Sequence, residues 1–241
     1  MNTGFTRVLW LTLWWANAVC AAAPPCVEEV ERAQRTLSEI FSKWPLHASG
    51  DPLDAAVQLL TLRLATRADI AERRHWRVHV IRDSKTNAFS IGDGHIFVTE
   101  GMLRFVASEA ELMTLLAHEF AHHIAQHFCT PPPRGILHRM FGRDEDSTRH
   151  RVGSLTALID PAKEQQADRM AVSILEHAGY DPRAALSLAT RMTAEGVVSD
   201  FQHGGRIAAL RDLLAERRAP IAAPEPSGLF LQMKNALDRA P

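Results

Sequence analysis

The stretch Leu116-Ala117-His118-Glu119-Phe120-Ala121-His122 carries the pattern HExxH. On a helix, His118 and His122 lie one turn apart on one face, so two imidazoles can reach a single metal ion. Glu119 sits beside them, where a carboxylate can take a proton from a water activated by the metal. The residues upstream predict that helix. Ser108-Glu109-Ala110-Glu111 reads as a capping box, and Leu112, Leu115, Leu116 and Phe120 form an apolar stripe free of Gly and Pro. His123 and His127 are also four apart, on a different face, and make a competing pair.

Three fixed positions in five arise by chance, so the reading depends on a third ligand. Catalytic zinc takes three protein ligands and keeps a fourth position open. Downstream runs Asp160-Pro161-Ala162-Lys163-Glu164-Gln165-Gln166-Ala167-Asp168, followed by Met170, Val172, Ile174 and Leu175. Asp160 is expected as N-cap, with Pro161 at the first helical position and Gly179 closing the helix. Glu164 and Asp168 then share one face. That spacing suits Glu164 as metal ligand and Asp168 as acceptor of the free ring N–H of a ligand histidine. An ordinary acidic helix face has the same spacing; its position after an HExxH helix favours the metal.

Four ordered stretches resemble the HtpX-like and BepA-like zinc metallopeptidases, which are related to the CAAX prenyl proteases. They are Asn87-Ala88-Phe89-Ser90 with Gly94 to Leu103; Glu109 to Leu112 leading through His118-Glu119-Phe120-Ala121-His122 to His127; Glu164 to Arg169 closed by Ala178-Gly179-Tyr180-Asp181-Pro182; and His203 with Arg206-Ile207-Ala208-Ala209-Leu210. Together they cover roughly residues 51 to 215. The resemblance implies an α+β, mostly helical, zincin-like domain with a small sheet beside the HExxH helix. It implies His118, His122 and Glu164 as ligands of one Zn²⁺ per chain, Glu119 as general base and Asp168 behind a ligand. His203 matches the family's late histidine, which holds the oxyanion or gates the cleft, although Gly204-Gly205 replaces the usual proline and longer gap. It also makes the strand at 95–99 the edge that pairs with an extended substrate; a plain hairpin fits the same residues.

Length and composition are those of one ordinary globular domain: 241 residues, 46% hydrophobic, 23% charged, net charge −1. Nothing in that balance points to a nucleic-acid partner. Arg7, the apolar run from Val8 to Ala18 and Val19-Cys20-Ala21-Ala22-Ala23 predict a secretory signal over 1–23, cleaved after Ala21 or Ala22. The run is short for a membrane span, and Asn17-Ala18-Val19 is a poor lipobox for Cys20. Export implies an oxidising, periplasmic setting, where Cys26 and Cys129 form one disulfide, stay free or pair with another chain.

Helices are expected over 27–44, from Asp51-Pro52 to about 73, over 183–195, 205–218 and 228–239. Strands are expected at 76–82, 88–91 and 95–99. The peptidase domain is placed at 24–218, and 219–241 is a Pro/Ala-rich linker with a short helix that docks back on the domain. Residues 130–159, opening with Pro131-Pro132-Pro133, are expected as a loop; as a flap, it would touch a membrane surface or an outer-membrane assembly. Tyr180 is expected to be structural.

The expected function is a zinc metalloendopeptidase. From the resemblance, its substrates are unfolded or misfolded envelope proteins. The rival is a proteolytically silent or gated chaperone or adaptor on the same scaffold. A purely structural zinc is excluded, because only three ligands are evident and such sites are closed by four.

Overall fold

Strand alternation decides which side chains face which helix. Strands β1 (Arg77–Ile81), β2 (Ala88–Gly92) and β3 (His95–Thr99) form one sheet in the order β1-β3-β2. The structure is a computed structural model describing residues 25–129, 161–197, 205–215, 217 and 226–239. The signal segment, Asp160, the 130–159 segment, His203 and most of the linker lie outside the described residues.

One expectation is corrected here. The strand at 95–99 is the centre of the sheet, parallel to β1 and antiparallel to β2. The turn Gly92-Asp93-Gly94, with φ of 100°, 50° and 80°, reverses the chain and drops β3 between its neighbours. The edges are therefore β1 and β2. Part of the β1 edge is covered, where Leu46 bridges Ile81 and the His47 N–H donates to the Val80 carbonyl at 2.9 Å.

Phe89, Ile91 and Phe97 face one way, onto Ala33 and Ile40 of α1 (Val27–Lys43). Val78, Val80, Ala88, Ile96 and Val98 face the other way, into the main core with α2 (Pro52–Arg67), α3 (Glu100–Phe105) and α4 (Glu109–Ile124). Helix α2 stops earlier than expected. Asp69 turns left-handed (φ 55°), the Ile70 N–H returns to the Ala65 carbonyl at 2.9 Å, and buried Ile70 closes the end. The short α3 was not anticipated. Thr99 caps it by accepting the Met102 N–H, and Gly101 lies so close to the 84–85 backbone that a Cβ would meet Ser84 O at 2.1 Å.

Helix α4 opens as the capping box predicts, with Ser108 Oγ accepting the Glu111 N–H at 3.2 Å. The Glu111 carboxylate reaches back to the Ala107 N–H (2.8 Å) and out to Arg191 (2.6 Å) of α6 (Arg183–Ala194), fixing the angle of the helix. Helix α5 (Pro161–His177) packs along α4 and closes at Gly179, φ 78°. Tyr180 then donates to Glu109 Oε1 at 3.0 Å, a structural role. Helix α7 (Gly205–Ala215) leans on α5 and α6. Helix α8 (Gly228–Arg239) docks on α2 and α3. It buries Phe230, Met233 and Leu237, each worth about 1.5–3 kcal/mol, and Lys234 Nζ donates to the Leu103 and Val106 carbonyls. No helix among the described residues is long and apolar enough to cross a membrane.

Candidate metal centre

Helix α4 presents His118 and His122 to α5, and α5 presents Glu164 to them. His118 Nε2 and His122 Nε2 stand 3.0 Å apart. Glu164 Oε2 lies 3.3 Å from the first and Oε1 lies 3.3 Å from the second. All three side chains are buried, and their donor atoms lie within 4.8 Å of one another. Both Glu164 carboxylate oxygens are buried and face the two imidazoles, with Arg206 as the neighbouring guanidinium, so a cation between the three donors would be held by the carboxylate charge. Two imidazoles and one carboxylate are the donor set of a catalytic zinc. The residues fit the metal.

The surroundings hold that set in place. Asp168, one turn beyond Glu164, puts Oδ1 3.1 Å from His118 Nδ1. Arg206 of α7, only 1% exposed, donates through Nε (2.8 Å) and Nη2 (2.7 Å) to Asp168, and its Nη1 lies 3.0 Å from Glu164 Oε2. One guanidinium thus spans a ligand and the partner of a ligand. His127 Nδ1 is 2.8 Å from His122 Nδ1, and Gln166 Oε1 is 3.2 Å from His127 Nε2. Glu119 points toward the sheet, where Ser90 Oγ donates to its Oε2 at 2.6 Å.

The electrostatics ask for one positive charge here. Burial works against a charged His118, but the Asp168 and Glu164 carboxylates outweigh it and lift the imidazole to about 10. Burial, and next the charge of His118, drive His122 well below its ordinary value. Burial opposes ionisation of Asp168, yet His118 and Arg206 hold it at about 2. The two carboxylates thus favour a positive charge at this position, which a metal cation would supply.

The competing histidine pair does not converge. His123 accepts the Gly94 N–H at 3.3 Å and lies 3.9 Å from Glu29 Oε1. Glu29 belongs to the first turn of α1, which closes over the end of α4. Cys26 and Cys129 are disulfide-bonded there, with Cα atoms 5.8 Å apart, and Arg32 donates to the Phe128 carbonyl. A disulfide sulfur offers no thiolate, so Cys26, Glu29 and Cys129 do not make a second metal site.

Ser90, His127, Gln166 and Arg206 all lie in the stretches that carry the family resemblance, but the sequence reading gives none of them a role at the site. One signal for Arg206 was available. A cation in the first turn of a helix opposes the helix dipole, so Arg206 just after Gly205 called for a buried acidic partner.

Residues 52–131 match the model of peptidase family M48. The chain is 28% identical over 177 residues to the mitochondrial metalloendopeptidase OMA1 of Schizosaccharomyces pombe, covering 69% of this chain and 52% of that protein. It is 42% identical over 80 residues to the mitochondrial metalloendopeptidase OMA1 of Danio rerio, covering 32% and 17%. It is 24% identical over 155 residues to the beta-barrel assembly-enhancing protease of Yersinia pestis, covering 56% and 32%. The chain spans about half or less of the length of these relatives.

Proposed function

We propose, from the premise that this chain carries a metallopeptidase domain of family M48, that it is a zinc-dependent endopeptidase acting on unfolded proteins of the cell envelope. The observation that carries this reading is the convergence of His118, His122 and Glu164 beside Glu119. His118 Nε2, His122 Nε2 and a Glu164 oxygen would hold one Zn²⁺. When bound, zinc polarises the scissile carbonyl and makes water a competent nucleophile at neutral pH.

The chain's own residues do the rest. Glu119 accepts the proton of the attacking water and passes it to the leaving amine. Ser90 donates to Glu119 and aims its carboxylate. Asp168 and Arg206 fix His118 and Glu164. His203, three positions before Arg206 in the sequence, is assigned the oxyanion or the gate on the family resemblance.

The outer edge of β2 pairs with no other strand among the described residues. The Thr99 N–H donates to the Asn87 carbonyl, so the antiparallel ladder puts the N–H and C=O groups of Ala88 and Ser90 on the side away from β3. That edge is buried here and has to be uncovered before a substrate can pair with it. An extended substrate is placed along this edge, beside Glu119. Main-chain pairing asks little of the substrate's sequence, which suits unfolded protein.

The envelope setting rests on the apolar N-terminal segment, and the Cys26–Cys129 disulfide supports an oxidising compartment. The mitochondrial relatives show that similar domains also serve elsewhere.

The test is zinc content and casein cleavage by wild type beside Glu119→Gln. One zinc per chain in both, with cleavage lost by at least about 100-fold in the variant, supports the peptidase. Equal cleavage by both proteins sinks the mechanism. Zinc bound with no cleavage by wild type favours a gated or adaptor scaffold.

A further inference from the structure

We propose that His127 and Gln166 are positioning residues, holding His122 in the single tautomer that can present Nε2 to a metal. The inference rests on the metal reading of His118, His122 and Glu164.

A neutral imidazole carries one N–H and one lone pair. If His122 gives its Nε2 lone pair to a metal, Nδ1 must carry the hydrogen, and Nδ1 faces His127 Nδ1 at 2.8 Å. His127 Nδ1 therefore accepts, and the His127 hydrogen sits on Nε2. That nitrogen faces Gln166 Oε1 at 3.2 Å, and a carbonyl oxygen can only accept. The chain of bonds runs one way, from His122 through His127 to Gln166. Reversed, with the Gln166 amide nitrogen turned inward, it would leave a hydrogen on His122 Nε2. That atom faces His118 Nε2 at 3.0 Å and Glu164 Oε1 at 3.3 Å, where the metal belongs.

The backbone brings this about. Helix α4 ends at Ile124, and Gln126 turns left-handed (φ 57°), folding His127 back over the last turn. Its N–H reaches the His122 carbonyl at 3.0 Å, and its ring meets the His122 ring edge-on, centroids 4.9 Å apart. His127 is 5% exposed, so water does not compete for Nδ1. The two ligand histidines are thus held differently. His118 leans on the Asp168 carboxylate, whereas His122 leans on a neutral imidazole backed by a neutral amide. The relay supplies direction and tautomer, not charge.

The experiment measures zinc affinity of the whole chain by competition with a chromophoric chelator, and melting of the metal-free protein, in five proteins. These are wild type, His122→Ala, His127→Leu, His127→Asn and Gln166→Leu. His127→Leu is expected to weaken zinc by about 10–100-fold. His127→Asn, whose amide oxygen can stand where Nδ1 accepts, restores affinity to within about threefold of wild type. Gln166→Leu, on an exposed side chain, weakens zinc by about threefold or more and leaves metal-free melting unchanged. If His127→Leu does not fold, His127→Asn and Gln166→Leu decide the matter. The relay is overturned if Asn is as weak as Leu at position 127, or if Gln166→Leu binds zinc like wild type. If wild type itself binds no better than His122→Ala, the metal reading falls and the relay with it, a result distinct from failure of the relay alone.

Discussion

The Ser90 hydroxyl lies 2.6 Å from Oε2 of Glu119, joining the middle of β2 to the carboxylate of the HExxH helix. Both side chains are buried, at 0% and 2% exposure. A hydrogen bond to a carboxylate in such a place sets its direction. The same strand offers its outer edge to substrate in the proposed mechanism, so nucleophile activation and substrate placement share one element.

Ser90→Ala should lower kcat by about 10-fold while zinc content stays at the wild-type value. Initial rates on a fluorogenic peptide, with metal analysis of the same samples, check this. An unchanged kcat would mean that other contacts orient Glu119.

Arg206 is the buried counter-charge of the site. Arg206→Ala leaves Asp168 and Glu164 without their cation, and removing one partner of such a cluster costs about 3–5 kcal/mol. Arg206→Lys should recover little of it, because an ammonium cannot reproduce the bidentate fork. Urea unfolding of the metal-free proteins reads both values, and saturating zinc should return part of the loss.

Part of this was legible in local sequence. His118 and His122 lie one helical turn apart and are read directly, Glu164 follows from its place after the HExxH helix together with the family resemblance, and the Ser108–Glu111 capping box sets the start of α4 as expected. What was not legible depends on contacts between elements far apart in the chain. Arg206 and Asp168 are 38 positions apart, and Ser90 and Glu119 are 29 apart. No periodicity encodes either pairing. The order of the strands was misjudged for the same reason. Alternation shows that 95–99 is a strand, but only the parallel pairing with β1 makes it central. The end of α2 was missed because the sequence around Asp69 has no glycine to announce a left-handed turn.

The Cys26–Cys129 disulfide closes a separation of 103 residues and ties α1 to the end of α4. Loops of that length lose much unfolded-state entropy on cross-linking, so the double substitution Cys26→Ser/Cys129→Ser should destabilise by about 2–4 kcal/mol. Thermal melting of wild type with and without reductant, beside the double variant, measures it. If reductant leaves the wild-type melt unchanged, the disulfide contributes little to stability.

A second histidine pair, on the face toward α1, contributes to stability in acid. His79 Nε2 lies 3.1 Å from His95 Nδ1, and the His79 ring packs 4.7 Å from that of Phe97 and 5.3 Å from that of Phe41. Burial, followed by the charges of His95 and Arg77, lowers His79 to about 4 from its ordinary 6.5. Burial lowers His95 in the same direction. The folded state therefore keeps His79 neutral while the unfolded chain takes up a proton near 6.5. Stability from this group is complete above pH 6.5 and is lost as pH falls from 6.5 toward 4. Melting midpoints should drop by about 5 °C across that window, after allowance for the acid transitions of other groups. His79→Phe removes the titrating ring and keeps the aromatic packing, so its midpoint should fall less over the same range. Parallel pH profiles for the two proteins would show that the pair makes no such contribution.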